Sequence, residues 1–184
     1  MPNIPSIKKN ESLSNVFARF NTGIEKPLME FHEVLMRSED SPFSEAEREL
    51  LAAYVSGVMN DCGYCLNIHT LVAVEFGAEE DLVERLLKDI DSSGVDEKLK
   101  PVLRYVKKLT LTPYKMIDAD TEAIFEAGWD ERALYDALLI CCTWNFMNRF
   151  VEGVGIELSQ EQYAASAKML AKGYAPIIEK YNLK

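Results

Sequence analysis

Nowhere in this 184-residue chain does an apolar run approach the roughly 18–20 residues that a membrane helix needs. Positive charge is scarce: 20 Lys and Arg stand against 30 Asp and Glu, a formal balance of −10. Nucleic acids and anionic membranes are bound through basic faces, because phosphate contacts dominate such affinity, so neither is an expected partner. No Asn-Gly or Asp-Gly pair separates alternating runs, and essentially no sheet is predicted. With 9 Gly and 7 Pro the chain is neither collagen-like nor low-complexity. The segment Met1–Asn10 lacks the apolar stretch of a signal peptide. Four cysteines (Cys62, Cys65, Cys141 and Cys142) in a chain large enough to fold without disulfide staples fit a thiol-reducing compartment. A soluble, cytoplasmic protein is the expectation.

What the chain does have is helical punctuation. Hydrophobic residues make up 48% of it, ample for one packed domain spanning residues 1–184. Ser44 and Glu47 form an S-x-x-E capping box ahead of Leu50, Leu51, Tyr54, Val55 and Val58, and Ser159 with Gln162 forms a second. Asp130 suits the N-cap of a long helix, while Gly77, Gly128 and Gly173 stand where C′ glycines stop helices. These marks predict an all-α, multi-helix bundle with helices near 13–20, 26–37, 45–59, 63–76, 79–89, 96–111, 119–127, 131–152 and 160–172, and a last turn near 175–181. Pro101 belongs in the first turns of its helix or delays its start. Glu47-Arg48-Glu49-Leu50 and Glu131-Arg132-Ala133-Leu134 each open a long apolar helix, the pattern that a duplicated two-helix unit would leave.

The chemistry concentrates in Asn60-Asp-Cys-Gly-Tyr-Cys-Leu-Asn-Ile-His69. At 100° per residue, Cys62, Cys65 and His69 fall on one face of a helix that starts near Cys62. The C-x-x-C spacing allows a disulfide to close and reopen. A thiol with its ordinary pKa of about 8.5 is roughly 3% thiolate at pH 7. Lowering it to about 6 gives roughly 90% thiolate and requires about 3.4 kcal/mol of differential stabilisation. A helix N-terminus supplies about 0.3–1 kcal/mol, or about 2 in a favourable buried case. His69, one turn from Cys65, is the remaining contributor. Asp61 works against thiolate formation unless it turns outward.

C-x-x-C-x-x-x-H, behind an apolar helix opening Glu-Arg-Glu-Leu-Leu-Ala-Ala-Tyr-Val-Ser, resembles the alkylhydroperoxidase D / carboxymuconolactone decarboxylase superfamily, most closely its peroxidase-related branch. The stretch Trp144-Asn-Phe-Met-Asn-Arg-Phe-Val-Glu-Gly-Val-Gly-Ile156 resembles that branch too, so the family core is expected over about 28–158, with 159–184 as a C-terminal helical extension. The resemblance implies a helical bundle that assembles into homo-oligomers, trimers or hexamers. It also implies reduction of hydroperoxides by an enzyme that needs no cofactor or metal and is recharged by a thiol or protein dithiol. Carried over by position, Cys65 is the peroxidatic residue, Cys62 the resolving residue and proton donor, and His69 the proton relay. The family's relay glutamate falls at Leu50; Glu49, one residue earlier, takes the role if the extra residue sits between Ser56 and Cys62, at Gly57 or in a local bulge.

Other readings of the same residues stay open. Cys62 and Cys65 are also compatible with packed, unreactive thiols, or with a zinc site that lacks an obvious fourth ligand. A decarboxylase-like lyase that ignores the thiols, and a non-enzymatic redox sensor, are the functional alternatives. Cys141 and Cys142 read as buried small hydrophobes in an apolar helix. His32 reads as a partly exposed helix residue without a nameable partner. Asn145, Asn148 and Arg149 read as hydrogen-bonding a neighbouring helix, with facing a pocket as the alternative, Glu79-Glu80-Asp81 as a solvated helix cap, and Tyr64 as either bordering the substrate entrance or packing.

Overall fold

A computed structural model describes residues 2–59 and 63–184. Among these described residues ten α-helices follow one another: α1 Leu13–Phe20, α2 Glu25–Arg37, α3 Glu45–Val58, α4 Gly63–Glu75, α5 Leu82–Lys88, α6 Lys100–Leu111, α7 Asp118–Glu126, α8 Glu131–Val154, α9 Gln160–Leu170 and α10 Ala175–Tyr181. A short 3-10 turn, Pro113–Lys115, precedes α7, and no strand occurs among the described residues. No helix among them is long and apolar enough to cross a membrane.

The ends of these helices follow from side-chain chemistry. The Ser44 hydroxyl accepts from the Glu47 N–H, and the Glu47 carboxylate accepts from the Ser44 N–H at 2.7 Å, so two orphan donors of α3 are satisfied reciprocally. Ser159 and Gln162 repeat the device at α9, and Asp130 caps α8 through the Ala133 N–H. α6 begins at Lys100 with Pro101 in its first turn, so the proline delays the start that periodicity alone puts near 96. α5 likewise begins at Leu82, after a turn in which Asp81 makes no side-chain cap; Arg85 instead pairs with both Glu79 and Asp81.

At the centre lies α3. Every residue from Arg48 to Ser56 is buried, the condition of a helix enclosed on all sides. It packs most extensively on α4, and also on α8, α6, α5 and α2. α9 covers the other side of α4, while α10 packs on α2 and α1. One contiguous core of buried side chains runs from Ile7 to Leu183, so the C-terminal helices share the interior with the rest. The polar groups inside it are joined across helices: Ser56 donates to the Asn148 side chain at 3.0 Å, and Asn145 donates to Thr110 at 3.0 Å. Asn145 and Asn148 thus tie α8 to its neighbours, as expected.

Candidate active site

α4 carries Cys65 and His69 one turn apart, and both are buried. They line a cavity of about 60 Å³, with Tyr64 and Ile68 from the same helix, His32 and Met29 from α2, Trp144 from α8 and Tyr174 at the start of α10. Half-buried Ser12, Ser14 and Ser166 stand at its edge. Tyr64 both lines the cavity and packs: its hydroxyl accepts from the Leu13 N–H at 3.0 Å, tying α4 to the start of α1.

Behind His69 stands Glu49, whose side chain is 0% exposed. The His69 Nδ1–Glu49 Oε2 distance is 2.6 Å. A carboxylate can only accept, so Nδ1–H donates and Nε2 is left as the ring's proton acceptor in the neutral tautomer. The other oxygen of Glu49 accepts from Arg37 Nη1 at 2.7 Å. Burial by itself would raise the Glu49 pKa, but the adjacent His69 and Arg37 overcome it and hold the carboxyl below its usual value. Arg37 also donates to the Leu170 carbonyl at 2.8 Å and lies over the rings of Phe76 and Tyr174, so the counter-charge is fixed to three other elements. Trp144 meets the His69 ring edge-on, with centroids 4.7 Å apart.

Glu49, His69 and Cys65 are therefore brought together; Cys62 lies outside the described residues. α3 continues as a regular helix through Gly57 to Val58, so no bulge at Gly57 aligns Glu49. Its alignment needs none within the helix, since Glu49 already faces α4. The two later cysteines sit apart from this cluster. Cys141 turns toward α6, 3.3 Å from the Thr110 hydroxyl, and burial pushes its pKa up to about 11. Cys142 is exposed, contrary to the expectation that both are buried: adjacent helical residues point about 100° apart, and the core takes one of them. No group of three or more His, Cys, Asp or Glu able to hold a metal occurs among the described residues.

Four site residues escape sequence reasoning: His32, Arg37, Trp144 and Tyr174. His32 is 2% exposed rather than partly exposed, and it has a partner, the Leu28 carbonyl, 2.6 Å from its Nδ1. The available signal was periodicity, because Met29, His32, Leu35 and Met36 occupy one stripe of α2 and all are buried. Arg37 looks like an ordinary dipole-complementing cation in the last turn of its helix. Tyr174 is placed by a long-range device. Gly173, with φ of +99°, turns the chain out of α9, and Glu33 on α2 accepts from the backbone N–H groups of Tyr174 and Ala175. A Cβ at Gly173 would lie 2.9 Å from Glu33 Oε2, so only glycine fits without moving that carboxylate.

The fold is an all-helical bundle of the alkylhydroperoxidase D type. A solved peroxidase-related protein from Silicibacter sp. TM1040 superposes with a TM-score of 0.75 at 24% identity, over 84% of this chain and 79% of that one. A second, an alkylhydroperoxidase D core, peroxidase-related protein from Ralstonia eutropha JMP134, gives 0.73 at 19% identity, over 84% and 80%. In sequence, residues 24–108 match the model of the Carboxymuconolactone decarboxylase family. The protein YdfG of Bacillus subtilis (strain 168) is 26% identical over 118 residues, 64% of this chain and 80% of that protein. In that family match and in that fold, the chain is similar to the alkylhydroperoxidase D-like carboxymuconolactone decarboxylase proteins.

Proposed function

We propose that the protein is a thiol-dependent peroxidase that reduces hydroperoxides through Cys65 and Cys62, with His69 and Glu49 moving protons. The observation that carries this reading is the buried Glu49–His69 contact of 2.6 Å one turn behind Cys65, on a cavity that Cys65 itself lines. An imidazole whose Nδ1 proton is held by a carboxylate is fixed in tautomer and orientation with Nε2 as acceptor, which suits a base that takes a thiol proton. The peroxidase-related neighbours and the family match support the same direction.

The chemistry balances without a cofactor. The Cys65 thiolate attacks the terminal oxygen of R–O–O–H; the S–O bond forms, the O–O bond breaks, and the electron pair leaves on RO⁻. RO⁻ takes a proton from Cys62 through the relay and departs as ROH. The Cys62 thiolate then displaces hydroxide from the Cys65 sulfenic acid; that hydroxide takes up a proton and leaves as water, with a Cys62–Cys65 disulfide behind. A thiol or protein dithiol reduces the disulfide. A homo-oligomer, trimer or hexamer, is proposed as the working assembly.

The test is consumption of tert-butyl hydroperoxide with and without excess dithiothreitol, with Cys65→Ser as the blank. The wild type should consume one hydroperoxide for every two thiols lost when no reductant is present, and should turn over when it is supplied. Consumption that persists in Cys65→Ser ends the thiol reading and favours a lyase-like use of the pocket. A disulfide that forms without turnover, and changes the oligomer size, favours a redox sensor. In parallel, thiolate absorbance titrated with pH should place the Cys65 pKa well below its ordinary value of about 8.5 in wild type and return it toward that value in His69→Ala. Identical titrations would remove His69 from the activation of the thiol.

A further inference from the structure

Two buried polar groups without a protein hydrogen-bond partner belong to residues that line this cavity. They are the indole Nε1–H of Trp144, a residue 1% exposed, and the hydroxyl of Tyr174, a residue 3% exposed. Buried donors in folded proteins are paired in the great majority of cases, and two unpaired ones on neighbouring residues that line a single cavity call for a partner. Between them stands His32, whose ring centroid is 5.7 Å from that of Trp144 and 5.3 Å from that of Tyr174. Its Nδ1–H is committed to the Leu28 carbonyl, so its Nε2 lone pair is an acceptor. The rest of the wall is mostly apolar, including Phe17, Met29, Ile68 and Met147. One small molecule with oxygen at one end and hydrocarbon at the other matches this division.

We propose that Trp144, Tyr174 and His32 form an oxygen subsite that holds the hydroperoxide group of a small alkyl hydroperoxide against Cys65. The proposal rests on the peroxidase reading and adds what that reading lacks, a means of stabilising the departing oxygen. His32 Nε2 accepts from the hydroperoxide O–H and orients it. As the Cys65 sulfur bonds to the terminal oxygen and the O–O bond breaks, negative charge collects on RO⁻, where the indole N–H and the phenol O–H donate. Preorganised donors aimed at a developing oxyanion are worth about 10²–10³-fold in rate where measured. Because Tyr174 comes from the segment beyond residue 158, the C-terminal helices are part of the site and not an appendage to it.

Tyr174→Phe removes one hydroxyl that has no partner in the fold, and so separates function from stability. Wild type and variant are compared in reduction of tert-butyl hydroperoxide with dithiothreitol, in thiolate absorbance against pH, and in thermal unfolding. The expected result is a rate at least about 10-fold lower, equivalent to about 1.4 kcal/mol of transition-state stabilisation. The thiolate titration should not move, and Tm should be equal or higher, since an unpaired buried hydroxyl opposes folding. An unchanged rate in Tyr174→Phe overturns the subsite, as does a rate that falls together with Tm and the thiolate titration. A wild type no more active than Cys65→Ser overturns the peroxidase reading itself, and the subsite with it.

Discussion

Replacing Glu49 by alanine is expected to destabilise the protein by about 3–5 kcal/mol and to lower hydroperoxide turnover at least about 10²-fold. Glu49 is fully buried between two cationic or potentially cationic partners, at 2.7 Å from Arg37 and 2.6 Å from His69. Removing one member of a buried pair leaves the other charge desolvated and uncompensated, which is the origin of the large stability term. Arg37 is held at 8% side-chain exposure by the Leu170 carbonyl and the Phe76 and Tyr174 rings, and so cannot simply swing into water. The rate term has a different origin, since without Glu49 the imidazole loses both its fixed tautomer and its orientation.

Glu49→Gln separates the two terms: it keeps the volume and one acceptor, so part of the stability should return while activity does not. The carboxyl's lowered pKa adds a pH signature. A group whose folded pKa lies below the unfolded one, here 4.5, stabilises the fold above that value and loses the contribution as pH falls through the folded pKa. Wild-type stability should therefore fall below about pH 4.5 more steeply than that of Glu49→Gln. Urea unfolding across that range, with peroxide assays at pH 7, checks both. A Glu49→Gln protein matching wild type within about 0.5 kcal/mol and twofold in rate would show that the buried carboxylate does neither job.

The helices were legible because their ends are written locally. Ser44 with Glu47, Ser159 with Gln162, Asp130, and the glycines at 77, 128 and 173 each act within one turn of their own position, and each terminus falls where its residues require. Cys65 and His69 were legible for the same reason, since i and i+4 share a helix face wherever that helix lies. Glu49 was half legible. Its residue type and approximate distance from the motif were visible, but whether it or a neighbour faced α4 depends on how two helices are rotated against each other. Arg37, Trp144 and Tyr174 were not legible as site residues, because they reach the cavity from α2, α8 and the start of α10. What unites them is packing between segments separated by scores of residues, and neither spacing nor composition records that. His32 shows the same limit from another side. A histidine flanked by Phe31 and Glu33 carries no mark of burial except its place in the Met29–Met36 stripe, and that periodicity was weaker evidence than the polarity of the ring.

That ring supplies the second large effect. Between pH 7 and pH 4 the wild type should lose about 3 kcal/mol of stability that His32→Gln does not lose. Burial, assisted by the nearby His69, pushes the His32 pKa from 6.5 down to about 4, against the opposing pull of the Leu28 carbonyl and of Glu49. The unfolded chain therefore binds a proton on this side chain at a pH where the folded chain does not. Stability from the neutral ring is fully present above about 6.5, declines as pH falls, and is spent near 4. A gap of about 2.5 units at about 1.36 kcal/mol each gives the total, with about 2 kcal/mol already lost by pH 5. This window lies above the one assigned to Glu49, so the two groups can be told apart by where the curves bend. The chain has 2 histidines, which makes the direct measurement simple: ring-proton NMR in wild type and His69→Ala assigns both titrations. His32 should remain neutral through pH 5, and the urea-derived stability of His32→Gln should change less with pH than that of wild type. A His32 resonance titrating near 6.5 would mean that the ring reaches water in the native state, and the closed, desolvated wall on which Trp144 and Tyr174 depend would have to be redrawn.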